Sequence, residues 1–264
     1  MGLRMNQKMS PGFTIIEVTF FLAISGLMAV GLLAGMGATI NSHRYRDSVV
    51  SLQTQLQNEF TKVENIQNSR EGRESCNSSA NIVSTPSVTN PRGTTECVVL
   101  GRFISIQGDK MSSFPVVARS TPSTREDMND VDYIKSHIIK IDKTPSARVT
   151  ENRKWGNSIT YPKGFASNPK GSDRNIYFLI VRSPNSGVIY SFSSQSDISS
   201  STSGLSGMVI SSASGVNYGR TRQVLCVKQE GATLMSPLGV VFEANISNTN
   251  GIQVISNDVE ADQC

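Results

Sequence analysis

The sequence predicts an α+β fold: one long N-terminal hydrophobic α-helix forming a spine, followed by a β-rich globular head. Three observations carry this expectation. Val18 to Ile40 runs 23 residues without a charge, and no proline interrupts the chain between Phe13 and Thr85. Tyr45, Val49, Leu52, Leu56, Phe60 and Val63 then recur at spacings of three and four, the period of a helix with one apolar stripe. From Glu96 onward, short runs rich in Val, Ile, Phe and Tyr are bounded by Gly, Pro, Asn and Ser, the texture of strands and turns.

The uncharged run is long enough to cross a bilayer as a helix. Glu17 stands at its front, where a lone carboxylate is badly placed. A charge at the centre of a membrane helix costs about 2.5–3.5 kcal/mol on insertion scales, and less near an end. A positive charge, made by processing or brought by a neighbouring subunit, is therefore expected to compensate it. A secretory signal peptide fits poorly, since its apolar region runs only about 7–15 residues and Ala38-Thr39-Ile40 is a poor cleavage site. A plain single-pass anchor fits the length, but leaves Glu17 and the placing of Gly12 before Phe13 unexplained. Flanking charges do not orient the span, because Arg4 and Lys8 precede it while Arg44 and Arg46 follow closely.

The stretch Gly12-Phe13-Thr14-Ile15-Ile16-Glu17-Val18, behind a short basic leader, resembles the class III leader of the type IV pilin and pseudopilin superfamily. The resemblance covers roughly the first thirty residues, and only a generic pilin-like layout beyond them. It implies a leader of residues 1–12, cut after Gly12 by a membrane-embedded prepilin peptidase and N-methyltransferase that then methylates Phe13. It also implies that Glu17 pairs with the terminal amine of an adjacent subunit. The implied partners are other pilin subunits in a helical homo- or hetero-filament, and an inner-membrane assembly platform. The subunit would cross the cytoplasmic membrane once before assembly, then enter a cell-surface pilus or a periplasmic pseudopilus. At 264 residues the chain is long for an abundant major pilin, which points to a minor pilin or pseudopilin. The rival outside filaments is an uncleaved, membrane-anchored surface adhesin.

The helix is expected over residues 13–67, about 80 Å from Thr14 to Ile66 at the standard rise. Residues 13–40 would lie in the membrane or filament core. Residues 41–67 would dock on the head, with Gln53, Gln55, Gln57 and Asn58 on the opposite face. Gly26, Gly31, Gly35 and Gly37 each weaken an isolated helix by about 1 kcal/mol. They either permit close packing or local melting, or are the ordinary glycine content of membrane helices.

Residues 68–95, with Pro86 and Pro91, read as a linker. The head then occupies 96–264. Candidate strands are Cys97–Ile106, Phe114–Ala118, His137–Ile141, Ile176–Val181, Val188–Phe192, Gln223–Lys228, Leu238–Phe242 and Ile252–Ile255. Pro184 to Gly187 reads as a hairpin turn. Ser191 to Gly215 is low in complexity with one charge, Asp197, and is expected to loop out of the head, either solvated or as an adhesive or sugar-bearing excursion. Asp130 and Asp132 are read as ordinary loop residues.

Cys76, Cys97, Cys226 and Cys264 form no CxxC pair, and the only histidines are His43 and His137, so neither a metal nor a cofactor is expected. No signature of catalysis is found. In an exported chain the even count argues for two disulfides, with three connectivities open. Sequence order suggests Cys76–Cys97 and Cys226–Cys264; the alternative leaves Cys264 free or pairs it between chains. The second bridge would resemble the disulfide-bounded C-terminal loop of many pilins.

The net charge is +4, of which Arg4 and Lys8 would leave with the leader. Lys135 to Arg182 carries ten Lys and Arg against Asp142, Glu151 and Asp173. Arg148, Arg153, Lys154, Lys163, Lys170 and Arg174 are interleaved there with Trp155, Tyr161 and Phe165. Cations for phosphates and rings for unstacked bases would suit DNA capture, as in minor pilins of uptake machines. The competing reading is a solvated face, because proximity in sequence does not show that these cations share a surface. The tail after Phe242 is acidic, with Glu243, Asp258, Glu260 and Asp262.

Overall fold

In the computed structural model, residues 12–65, 74–84, 96–121, 127–163, 171–195, 204–209, 222–228, 236–244, 246–255 and 263–264 are described. Helix α1 (Ile15–Glu64) is 50 residues long, about 75 Å at the standard rise. The strands are β1 (Glu74–Cys76), β2 (Ile82–Ser84), β3 (Cys97–Gln107), β4 (Lys110–Arg119), β5 (Ile138–Ile141), β6 (Val149–Asn152), β7 (Ile159–Thr160), β8 (Ile176–Arg182), β9 (Ile189–Ser194), β10 (Gln223–Val227), β11 (Gly239–Phe242) and β12 (Ile252–Val254). Two short helices, α2 (Asp130–Ser136) and α3 (Gly204–Met208), and two 3-10 turns, Lys154–Gly156 and Thr249–Gly251, complete the described elements.

The strands form two main antiparallel sheets. One is ordered β5-β4-β3-β8-β9, with β6 also paired to β4; the other is ordered β12-β11-β10-β7. The α1 stripe packs on both. Tyr45, Val49, Leu52, Leu56, Phe60 and Val63 share one core with Ile104, Ile106, Ile176, Phe178 and Ile180 of the large sheet and Leu225, Val240, Phe242 and Ile252 of the small one. The opposite face of the large sheet is also covered. Phe103, Val116, Leu179, Val181 and Phe192 lie under Val131 and Ile134 of α2 and Leu205, Met208 and Val209 around α3. This explains why β8 reads Ile-Tyr-Phe-Leu-Ile-Val without a charge before Arg182: both of its faces are buried.

Gly101 is required by this arrangement. The register of β3 on β4 shifts between Val99 and Gly101, and on the other side of β3 the paired strand β8 sets Val181 opposite Gly101. A Cβ at Gly101 would stand 1.9 Å from the Ile180 carbonyl oxygen and 2.8 Å from the Val181 Cα. Both obstacles are backbone in a central strand and cannot swing away. Gly101→Ala is expected to destabilise the fold by about 3 kcal/mol, the upper range for overpacking, measured by chemical denaturation.

Cys76 is joined to Cys97 and Cys226 to Cys264, with Cα separations of 6.0 and 5.3 Å. The second bridge holds the last residue over Val241 and Ile255 on the outer face of the small sheet. Closing 38 residues is worth about 4 kcal/mol in the chain-entropy account.

The structure departs from the sequence expectations in several places. Within the stretch read as linker, β1 and β2 form a hairpin whose turn is tied by Asn77, its side chain accepting from the Ser79 and Asn81 amides. Within the serine-rich stretch, Ser191 to Ser194 belong to β9, with Ser191 and Ser193 buried, and α3 packs on the core; residues 196–203 and 210–215 lie outside the described residues. Asp130 and Asp132 are the first turn of α2, capped by Asn129, rather than loop. Gln53 and Gln57 do not face away from the head: both donate to the Ile252 carbonyl at 3.0 Å, covering the outer edge of β12.

Candidate functional site

Gly12 and Phe13 precede the helix and are exposed, as are the large apolar side chains from Ile15 to Ile40. None of the most apolar window of α1 is buried by the chain itself, and the helix is long and apolar enough to cross a membrane. Thr14 and Glu17 close the N-terminus reciprocally. The Thr14 amide and hydroxyl each donate to Glu17 Oε2 at 3.0 Å, and the Glu17 amide donates to Thr14 Oγ1 at 3.3 Å. This is a capping box, which satisfies amides that the first helical turn leaves without partners. Glu17 therefore has a partner within its own chain, where the sequence reading looked only for a cation. The signal was present as Thr14-x-x-Glu17 directly before an apolar run.

Among the described residues, the cations of the basic segment are not all at the surface. Arg174 is 0% exposed, and donates to the Val224 carbonyl at 2.8 Å and to the Gln223 side chain at 2.6 Å. Arg153 is 5% exposed. Burial pushes both guanidinium groups down to about 10, against the opposing pull of Asp109 and Asp173 on Arg153 and of Tyr161 on Arg174. Neither can reach a phosphate on the surface, which removes two of the cations proposed for nucleic acid. Arg148 is exposed, but its guanidinium lies over the Phe114 ring and donates to Thr150 at 2.9 Å, before β6 begins. Trp155 follows β6, so the length of that strand separates them. Lys163 is exposed near the C-terminus, its amide donating to the Gln263 carbonyl at 2.6 Å. Lys170 and the side chain of Lys154 lie outside the described residues.

Among the described ion pairs, the one with both side chains buried is not marked by the charge pattern of the sequence. Glu59, 3% exposed on the inner face of α1, meets Arg102 of β3, 4% exposed, at 2.8 Å. Ser113 of β4 donates to the same carboxylate oxygen, and also accepts from Arg102 at 2.8 Å. Lys62, one turn along α1, holds the other oxygen at 2.5 Å. Burial alone would raise the Glu59 carboxyl, but Arg102, Lys62 and Ser113 together outweigh it and hold it below the usual carboxylate range. The clue lay in the helical period: Glu59 falls three after Leu56 and four before Val63, inside the apolar stripe. A second carboxylate, Asp130, accepts from Ser183 at 2.9 Å, from Tyr190 at 3.0 Å and from Ser186, fastening α2 to the β8–β9 turn.

In geometry, then, the chain joins an exposed apolar helix half to a helix half clamped on a folded head. Comparison with known proteins returns no matching family model, curated protein or solved structure.

Proposed function

We propose that this protein is a structural subunit, a minor pilin or pseudopilin, of a type IV pilus or type II secretion-like filament. One observation carries the reading: the cleavage-type motif from Gly12 to Val18 opens a helix whose first half, beyond Glu17, carries no charge and offers chiefly large apolar side chains to its surroundings. Such a surface has no stable state in water and needs a bilayer or neighbouring helices around it. A bilayer before assembly and a filament core after it would supply both in turn. The chain's own capping box ties Thr14 to Glu17, and the charge of that carboxylate would be met by the terminal amine of a neighbouring subunit. DNA capture is the weaker reading for this head, because Arg153 and Arg174 are buried.

The test is the N-terminal peptide of protein made in its native host, read by mass spectrometry. The expected peptide begins at an N-methylated Phe13. Replacing Gly12 by a bulky residue should leave the leader attached, because the peptidase would meet a side chain at the scissile bond. An unprocessed N-terminus in peptidase-positive cells would leave a plain membrane anchor and remove the filament reading.

A further inference from the structure

Trp155 is the chain's single tryptophan, and it is 53% exposed. It sits in a 3-10 turn, Lys154–Gly156, with φ of 65°, a conformation that bulky residues seldom adopt. Strain of that kind is kept where the surroundings hold a side chain in a particular place. Here the turn packs on α1, and the Arg44 guanidinium lies 4.8 Å from the centre of the indole ring.

The position of Arg44 gives this pair its meaning. Arg44 is four residues beyond Ile40, the end of the uncharged run, so its Cα lies about 6 Å further along the helix axis. Helical side chains lean toward the N-terminus, which inclines Arg44 back toward that boundary. His43 and Arg46 flank it on the same stretch of helix. An exposed indole and a cation are thus placed on the underside of the head, at the level where the bare apolar half of α1 begins. Indole rings favour the headgroup layer of a bilayer, and cations there attract anionic phosphates.

We propose that Trp155 and Arg44 form an interfacial anchor that seats the head on an anionic lipid headgroup layer while α1 spans the membrane. The inference rests on the reading of the apolar half of α1 as a membrane span. It adds a lipid contact made by the head itself, which would fix the head's orientation before the subunit is extracted into a filament. A nucleic acid or a second copy of the chain could also cover an indole, but neither accounts for its height at the end of the span.

The single tryptophan makes the test direct. The full chain is reconstituted at low density in phosphatidylcholine vesicles containing about a quarter phosphatidylglycerol, and insertion of α1 is scored separately by resistance to alkaline carbonate extraction. Trp155 emission is then quenched with headgroup-labelled lipid, with mid-chain-labelled lipid and with aqueous acrylamide. The expected result is a loss of about half the emission to the headgroup label, little to the mid-chain label, and acrylamide quenching about threefold weaker than for a free indole. Arg44→Gln should stay inserted yet lose about half of the headgroup quenching, and only in vesicles with anionic lipid. An inserted chain whose Trp155 is open to acrylamide and untouched by the headgroup label would overturn the anchor alone. Shielding that ignores both lipid labels and grows with protein density would also overturn it, in favour of a second copy. Failure of α1 to insert would overturn the anchor together with the membrane reading beneath it.

Discussion

Glu59→Ala is expected to cost about 3–5 kcal/mol, the penalty for stranding one partner of a buried ion pair. Arg102 would be left 4% exposed, with Ser113 as its remaining contact in this network, while Lys62 can turn to water because it is already partly exposed. The loss would fall on the docking of α1, since Glu59 is the helix residue that ties β3 and β4 to it. A paired replacement, Glu59→Leu with Arg102→Met, should recover most of the stability, because a packed apolar pair removes the stranded charge. Denaturant midpoints of the full chain in detergent would show this. A Glu59→Ala midpoint equal to wild type would mean that the network does not hold the helix.

The same carboxylate sets a pH dependence. Glu59 is held below the usual range in the folded chain, whereas in the unfolded chain it titrates near about 4.3. Above that unfolded value both states are ionised and the stabilisation is present in full. As the pH falls below it, the unfolded chain takes up a proton first, and the stabilisation declines until the folded carboxyl also protonates. Acid should therefore loosen the docking of α1, and Glu59→Gln should flatten that part of the stability profile.

Much of the architecture was legible in the sequence, and the gaps have physical causes. The eight expected strands are all present, with ends displaced by a few residues, because dense β-branched and aromatic runs mark strands buried on one or both faces. The phasing of α1 was visible as well, since a helix stripe repeats in sequence. β6 escaped notice because all four of its residues are exposed, leaving no alternation to detect. β7 has only two residues, and β1 and β2 only three each, too few to show a period. α2 was missed although Asn129 caps it and acidic residues open it, a start signal hidden by the helix's brevity. Arg153 and Arg174 were misplaced for a different reason. Composition gives the charge of a segment but not the direction of each side chain, and both of these point into the head.

Glu17 offers the sharper discrimination, because the structure and the resemblance assign it different partners. If Glu17 acts by accepting the terminal amine of a neighbour, Glu17→Gln should abolish filament assembly while leaving cleavage after Gly12 intact. If its main role is the capping box with Thr14, Glu17→Gln should assemble nearly normally, because Gln also closes such a box. Thr14→Ala separates the two from the other side. It removes the cap hydroxyl, at a cost of about 1 kcal/mol in the first helical turn, but keeps the carboxylate. We expect the charge to dominate: Glu17→Gln and Glu17→Ala should both be cleaved and fail to assemble, and Thr14→Ala should assemble with frayed first-turn amides. The physical reason is scale. A cap contributes about 1 kcal/mol to a helix already supported by its surroundings, whereas an unpaired carboxylate or ammonium in an apolar filament core costs several. Both roles are compatible in one residue. The Thr14 amide and hydroxyl both donate to Oε2, so Oε1 can face a neighbouring amine without breaking the cap. Normal filaments from Glu17→Gln, with few or none from Thr14→Ala, would reverse this order and make Glu17 a helix-starting residue alone.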